Sequence, residues 1–486
     1  MAKSTTKKKP IFKDLRQVRI VLQWLSGEEF KMIHKYRMFD LNIVLDINSG
    51  SVHILDDISY KILDWDIKGL TEPTEEILNG INGDKEEIKE AFYELKKLQE
   101  KGELYSEDYL TVEDVKKFRL NPPVKALCLH ICHDCNLRCK YCFAETGSFH
   151  GERSMMSREV GFAAIDFVIK NSEKRKNIEI DFFGGEPLMN FDVVKDIVDY
   201  ANEQGKIHNK NFRYTLTTNG MLLDDEIIDY LNENMSNIVL SLDGTKETND
   251  FLRPDINKQG SYDKIIDNYK KIAKLRNQDN YYVRGTFTAH NLNFTKDILH
   301  IADEGFMQTS MEPVVLSKTH PLAIKEEHLP IVKREYEILA EEYLNRIKNK
   351  KPFNFFHFMI DLEQGPCVIK RVSGCGAGSE YVAVTPTGEI YPCHRFAGEK
   401  DYKMGDVFEG TLREDLKRLF IDDNVYSKKD CQNCFAKFYC SGGCHANNIL
   451  IEKDIDTPYK IGCEMEKKRV ECGIAIKAKL AVDGDI

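Results

Sequence analysis

Six times between residues 125 and 318 a strand-length apolar run gives way to a helical spacing of apolar positions. The runs cover about Lys125–Ile131, Ile178–Phe183, Phe212–Thr218, Asn237–Leu242, Tyr281–Ala289 and Met307–Val315. Ser157–Asn171, with Ser157 placed to cap it, and Phe191–Gly205 are two of the amphipathic helices between them. Such alternation predicts an α/β fold on a parallel sheet with right-handed crossovers. The site is then expected at the C-terminal ends of the strands.

Before this region the periodicity changes. Residues 1–29 read as a basic tail running into a short amphipathic segment, and residues 30–110 as a compact unit. Ile43–Leu55 alternates on both sides of Asn48-Ser49-Gly50, a hairpin signature. Helices are expected from Asp57, near Glu75–Ile81, and after Asp84. There Asp84 and Glu87 suit a capping box, and Ile88, Phe92, Leu95 and Leu98 share one face. Glu103-Leu104-Tyr105 reads as a returning strand. A hairpin with three helices is the outline of a winged helix-turn-helix. Residues 111–124, with Asn121-Pro122-Pro123, read as a linker. Residues 319–366 read as bridging helices, with a long charged one around Pro330–Lys350, and residues 473–486 as a tail.

Charge changes the meaning of the N-terminal unit. Residues 31–110 hold 10 Lys/Arg against 18 Asp/Glu, so the unit carries −8. That is a poor footprint for phosphate contacts, and the whole chain, at −10, gives no reason to expect a nucleic-acid partner. A peptide could instead add to the hairpin edge and lie in the helix groove; a plain structural cap is the alternative. No run approaches the ~18 apolar residues of a membrane span, so no membrane partner is expected. Ile11–Leu25 is interrupted by Lys13, Asp14, Arg16 and Arg19, unlike a signal peptide. The expected location is therefore cytoplasmic, where fourteen cysteines read as metal or redox ligands rather than disulfides.

Five of those cysteines fall between Cys128 and Cys142. The spacing C-x3-C-x2-C occurs twice, as Cys128/Cys132/Cys135 and as Cys135/Cys139/Cys142. Three thiolates so placed suit three irons of a [4Fe–4S] cluster whose fourth iron stays open; a structural zinc site is the alternative. The second strand ends in Gly184-Gly185-Glu186-Pro187, where glycines permit close backbone approach and a carboxylate can pair with an ammonium group. Asn219 and Asp243, at the ends of strands three and four, suit either ligand contact or Asx-turn and helix-cap roles. Nine more cysteines follow: Cys367, Cys375, Cys393, Cys431, Cys434, Cys440, Cys444, Cys463 and Cys472. A pair of zinc sites is the alternative reading for these.

The chain resembles the radical S-adenosylmethionine (SAM) enzymes, whose signature is C-x3-C-x-aromatic-C. Tyr141 precedes Cys142, whereas Asp134 precedes Cys135, so the resemblance selects Cys135, Cys139 and Cys142 and leaves Cys128 and Cys132 aside. It implies a partial (β/α)6 barrel. It also implies that Gly184, Gly185 and Glu186 bind the SAM amino group, that Ser241 meets its carboxylate or ribose, and that the strand end at Glu312–Val314 meets the adenine. Asn219 and Asp243 are carried as further SAM contacts; Arg253 and Arg284 are candidate carboxylate or ribose partners, with a surface or interdomain ion pair as the stronger alternative for both. The cysteines of residues 367–472 resemble the SPASM module. By that resemblance Cys375, Cys393 and Cys444, with Cys367 as possible fourth, hold one auxiliary cluster, and Cys431, Cys434, Cys440 and Cys463 a second. Three [4Fe–4S] clusters and SAM are the implied cofactors.

With residues 30–110 resembling a precursor-recognition element, the whole is similar to thioether-forming peptide maturases of the SCIFF (ranthipeptide) type and to enzymes making freyrasin-like products. What this implies is a 5′-deoxyadenosyl radical that removes hydrogen from a ribosomally made precursor, whose cysteine sulfur then joins carbon. The leader would bind residues 30–110, and a flavodoxin or ferredoxin would supply electrons. Which residue acts as base is left open. A sulfatase-type formylglycine or C–C crosslinking maturase would share the cluster motifs. A zinc-stabilised peptide-binding scaffold would share only the cysteines.

Overall fold

The computed structural model describes residues 32–362 and 371–484. The basic tail at 1–29 and Cys367 lie outside the described residues. At the N-terminal end β1 (Ile33–Met38), β2 (Leu41–Asp46) and β3 (Val52–Leu55) form an antiparallel sheet in that order. The turn between β2 and β3 runs through Asn48-Ser49-Gly50, with Gly50 at φ +76°. Strand β1 is not foreseen by the sequence pattern. Its turn into β2 uses Phe39 and Asp40, both at positive φ (54° and 60°), and so lacks the Gly or Asn that marks most such turns.

Three helices, α1 (Asp57–Ile62), α2 (Glu75–Gly80) and α3 (Lys85–Glu100), cover one face of this sheet. Val44 meets Ile62, Ile77, Ile88, Phe92 and Leu95 in a core of its own. Asp84 caps α3 by accepting from the N–H groups of Glu86 and Glu87. The stretch expected to be a linker contains a helix, α4 (Val112–Phe118), closed by a reciprocal Thr111–Asp114 cap. Val115 anchors it against Val425 and Phe438, which is why it folds instead of spanning freely.

The six apolar runs become β4 (Ala126–Cys132), β5 (Asn177–Gly184), β6 (Asn211–Thr218), β7 (Asn237–Ser241), β8 (Tyr281–Phe287) and β9 (Gln308–Pro313). All six are parallel and adjacent in chain order. Helices α5 (Arg158–Asn171), α6 (Phe191–His208), α7 (Asp225–Asn234), α8 (Lys246–Leu252), α9 (Tyr262–Leu275) and α10 (Phe294–Asp303) make the crossovers. Side chains alternate across each strand. Leu127, Leu129, Ile180, Phe182, Leu216, Ile238, Leu240 and Val283 are fully buried in the main core. On the other face Asp181, Phe183, Thr215, Thr217, Val239, Ser241 and Thr286 stay partly exposed.

The sheet continues past both ends of this set. After the long helix α11 (Leu329–Lys348), β10 (Asn354–Phe355) pairs parallel with β9. At the other edge β11 (Tyr381–Val384) pairs parallel with β4, placing Tyr381 beside Ala126. Strands β12 (Glu389–Tyr391), β13 (Gly405–Asp406) and β14 (Thr411–Leu412) then extend it antiparallel, giving eleven strands. The cysteine-rich C-terminal region is thus built onto the main sheet.

Residues 473–483 are no tail. They are the second half of α12 (Lys460–Asp483), which is covered on two sides. Ile474 and Ala475 pack on Ile43 and Leu45 of β2, and Ile476 and Leu480 enter the main core. With two buried faces the helix has no single apolar stripe to reveal it. No helix among the described residues is long and apolar enough to cross a membrane.

Candidate functional site

A cavity of about 340 Å³ opens where β4–β9 end. The loop after β4 brings Cys135, Cys139 and Cys142 into its lining; Cys128 and Cys132 are buried outside it. The Cys132 thiol donates to the carbonyls of Asp134 (3.2 Å) and Glu186 (3.0 Å), which turns it away from the cavity. The loop is also stitched to the far side of the sheet. Arg138 N–H donates to Pro254 O at 2.7 Å and Lys140 N–H to Leu252 O at 2.9 Å.

Gly184 and Gly185 line the cavity, and their need to be glycine comes first from the cysteine loop. A Cβ on Gly185 would lie 1.9 Å from the Asp134 carbonyl oxygen, and one on Gly184, at φ +123°, 2.3 Å from that of Cys132. The Glu186 carboxylate is buried and accepts from Thr218 Oγ1 (2.8 Å), Asn219 N–H (2.7 Å) and Leu188 N–H (3.2 Å). Burial outweighs these donors and raises its pKa to about 7. Asn219 takes the Asx-turn role of the two left open for it and also lines the cavity. Its Oδ1 accepts from Met221 N–H at 3.0 Å in an Asx turn, while its Nδ2 donates to Asn136 Oδ1 at 2.7 Å and lies 3.6 Å from the Cys135 sulfur.

Ser241, Val314, Arg253 and Arg284 also line the cavity. Asp243 does not. It is completely buried and accepts from the Tyr141 hydroxyl at 2.7 Å and from Thr286 N–H at 3.0 Å. Arg253 Nη1 donates to the same tyrosine oxygen at 2.7 Å. Asp243 therefore orients Tyr141, between Cys139 and Cys142, instead of meeting a ligand. Across the cavity, Arg284 approaches Glu312 at 3.4 Å, and Glu312 also faces His357 (3.5 Å) and Arg469 (3.6 Å). Burial disfavours the Glu312 anion, but these three neighbours hold its pKa at about 2.

Two further lining residues, His394 and Arg395, come from the C-terminal region; sequence reasoning did not single them out. Their position directly after Cys393 was the available clue. They reach the cavity because β11 pairs with β4. His394 packs against Phe143 and Phe183, and Arg395 lies over the Phe143 ring at 5.0 Å.

The remaining cysteines form two groups. Cys431, Cys434, Cys440 and Cys463 line one cavity of about 710 Å³. Cys375, Cys393 and Cys444 are mutual neighbours, and burial, with the adjacent Cys444 and Cys375 thiols, pushes Cys393 up to about 12. Cys472 is fully buried in the core. Among the described residues no three His, Cys, Asp or Glu side chains gather on the point a single metal ion would occupy. Thiols set around wider cavities are the soft donor set that iron–sulfur groups take.

Comparison with known proteins agrees with this geometry. Residues 129–297 match the radical SAM superfamily, and residues 375–435 match SPASM, an iron–sulfur cluster-binding domain. A cysteine-type anaerobic sulfatase-maturating enzyme of Clostridium novyi is 25% identical over 335 residues, covering 65% of this chain and 86% of that protein. The radical SAM cyclopropyl synthase TigE of Paramaledivibacter caminithermalis is 24% identical over 437 residues, covering 85% of this chain and 89% of that one. Among solved structures, native anSMEcpe with bound AdoMet aligns with a TM-score of 0.61 at 20% identity, covering 75% of this chain and all of that one. The chain thus carries a radical SAM domain and a SPASM domain on a mixed α/β fold with a large parallel sheet, and is homologous to these maturating enzymes and to TigE. Those domains imply [4Fe–4S] clusters and SAM.

Proposed function

We propose that this protein is a radical SAM/SPASM maturase that joins cysteine sulfur to carbon in a ribosomally made precursor peptide. The observation that carries the peptide reading is the N-terminal unit and its setting. In the order β1-β2-β3, β3 has a partner on one side only, and a groove of about 760 Å³ runs beside Gly50–Val52 and Ile54. Met359, Ile360 and the α12 residues Ile476–Ala478 form its other wall. An unpaired strand edge beside an apolar groove is what an extended peptide adds to. The same face of the sheet also meets the cysteine region: His34, opposite Leu45, stacks on Phe435 at 3.6 Å, next to Cys434, and its Nε2 donates to the Glu471 carboxylate at 3.0 Å.

Cys135, Cys139 and Cys142 would hold the SAM-binding cluster, Cys375, Cys393 and Cys444 one auxiliary cluster, and Cys431, Cys434, Cys440 and Cys463 another. When bound, these groups and SAM would supply one-electron SAM cleavage, a carbon radical able to take peptide hydrogen, and an acceptor for the electron released when sulfur and carbon join. The chain's own part is placement and dryness. Gly184 and Gly185 allow the backbone to close on the cysteine loop; Ser241, Asn219 and Val314 line the SAM side; Tyr141, held by Asp243 and Arg253, fixes the loop. Phe143, Phe183, His394 and Arg395 wall the side toward Cys393, where the peptide would lie. A flavodoxin- or ferredoxin-type donor is the proposed electron source.

The electron balance is closed: one enters at SAM cleavage, one leaves at bond formation, and the peptide loses two hydrogens per crosslink. Reduced protein incubated with SAM and precursor should therefore yield deoxyadenosine and a peptide 2 hydrogens lighter per ring; deoxyadenosine with an unchanged peptide refutes the thioether reading. Ile54→Asp on the β3 edge should weaken precursor binding, read by fluorescence anisotropy, and leave peptide-free SAM cleavage intact. The similarity to the sulfatase-maturating enzymes and to TigE favours one alternative, another SPASM maturation such as cysteine oxidation or cyclopropane formation. Product mass distinguishes cysteine oxidation; a cyclopropane also loses two hydrogens, but it leaves the cysteine thiol free to alkylation whereas a thioether does not. A colourless protein without iron would instead indicate a zinc-stabilised scaffold.

A further inference from the structure

A chain of buried charges beside Cys375 has no part in the function proposed above. Lys428 is 0% exposed, in the turn before Cys431. An ammonium group so deep requires a counter-charge and acceptors. It donates to Asp423 Oδ1 and to the carbonyl of Ile455. Asp423, 4% exposed, uses its other oxygen to accept from Nε2 of His445 at 2.9 Å. His445 is 3% exposed, and its remaining nitrogen, Nδ1, is buried without a nitrogen or oxygen partner. That edge of the ring lies against the residue before Cys375, where a Cβ on Gly374 would sit 3.6 Å from Cε1 and 3.9 Å from Nδ1, and His445 is the hydrogen-bonding neighbour of the Cys375 thiol.

The arrangement is directional. Lys428 occupies one carboxylate oxygen, which leaves the other to fix the imidazole, and a fixed imidazole presents Nδ1 to one sulfur atom. Other bonds also hold this segment. Asn448 ties the same segment by accepting from Tyr459 N–H at 3.1 Å and donating to Ile455 O at 3.3 Å. A purely structural staple would have no use for an unpartnered nitrogen aimed at a thiol.

We propose that His445, as the imidazolium, is a positioning residue for Cys375: its Nε2–H donates to Asp423, which Lys428 holds, and its Nδ1–H donates to the Cys375 sulfur and raises the reduction potential of the iron–sulfur group which that cysteine holds. The inference rests on Cys375 being a cluster ligand, as proposed above. A hydrogen bond to a ligating sulfur withdraws electron density and favours the reduced state, and partners of this outer kind also fix ligand orientation. It suits the site to accept the electron released at sulfur–carbon bond formation.

The test uses the full-length, cluster-loaded protein. His445→Gln keeps a donor near the Nε2 position and removes the one facing Cys375, whereas His445→Asn keeps a donor near Nδ1. Redox titration followed by EPR should show one auxiliary signal shifted to more negative potential in His445→Gln and returned toward wild type in His445→Asn, with iron content unchanged. Equal potentials in all three proteins overturn the inference. If His445→Gln loses iron, the unaltered protein labelled with ¹⁵N-histidine decides. A weak nitrogen coupling to the reduced auxiliary signal supports the bond, and its absence overturns it. Cys375→Ala tests the underlying assignment separately. Full iron content in that variant refutes the ligand reading, whatever His445 does.

Discussion

The two largest cysteine cavities differ in both ligand count and surroundings. The first presents three thiols at the ends of parallel strands, and polar groups from β5, β6, β7 and β9 converge on the same space. The second presents four thiols, all from short turns and the start of α12, beneath a rim of lysines and acids. Three sulfurs leave one iron of a cubane free to take a ligand, and four leave none. On the function proposed above, the site that does the chemistry is the one built on the rigid sheet, where positions are set by paired backbone. The saturated site can sit on turns, because electron transfer asks less of geometry than bond-making does.

The sharpest break of this contrast is at the three-sulfur site. Cys139→Ala should abolish SAM cleavage, followed as deoxyadenosine, while Cys132→Ala, whose thiol only bridges two carbonyls, should leave it near wild type. The reverse result would mean that the cysteine frame is misassigned. Next in size, Cys463→Ala should remove about four irons from an expected total of about twelve. It should leave deoxyadenosine formation measurable and lower crosslinked product, since only the second cavity is opened.

Arg469 links the two cavities, and its removal should blur them. It pairs with Glu312 at the first and with Glu466 at the second. Arg469→Met takes the cation from Glu466 and one of three anion-stabilising neighbours from Glu312, and should cost about 3 kcal/mol of stability, measured by denaturant unfolding. SAM binding should weaken in the same variant, and a change confined to the second cavity would deny the link. The smallest effect concerns Asp181, which sits beside Cys128 in the sheet register. Burial, with Glu179 nearby, raises its pKa from 3.8 to about 7. The folded state thus holds this proton where the unfolded chain releases it, and stability falls as pH rises from about 4 to 7. Asp181→Asn should flatten that slope: little difference at pH 4, a more stable variant at pH 8.

Much of this was readable along the chain because it is encoded locally. The six parallel strands begin and end within about two residues of their apolar runs, Ser157 caps α5 as its spacing suggests, and the cysteines declare themselves by identity. What could not be read depends on partners distant in sequence. Strand β1 was hidden because Phe39 and Asp40 adopt a turn without the residues that advertise one. Helix α4 and the end of α12 were hidden because tertiary neighbours, not amphipathicity, hold them. Asp243 looks like a ligand-facing acid in sequence, yet its carboxylate is spent on Tyr141.

The sequence by itself determined where the cysteines proposed to hold iron stand along the chain and which segments make the parallel sheet, since both follow from residue type and short-range period. Only the tertiary structure decided what surrounds the metal sites. It pairs β11 with β4 and thereby brings His394 and Arg395 over the first cavity. It folds α12 back so that Arg469 reaches both cavities, and it buries Lys428 where Asp423 and His445 must relay toward Cys375. Each of these joins residues tens to hundreds of positions apart, and such proximity is set by how the sheet and helices pack, for which a local pattern carries no record.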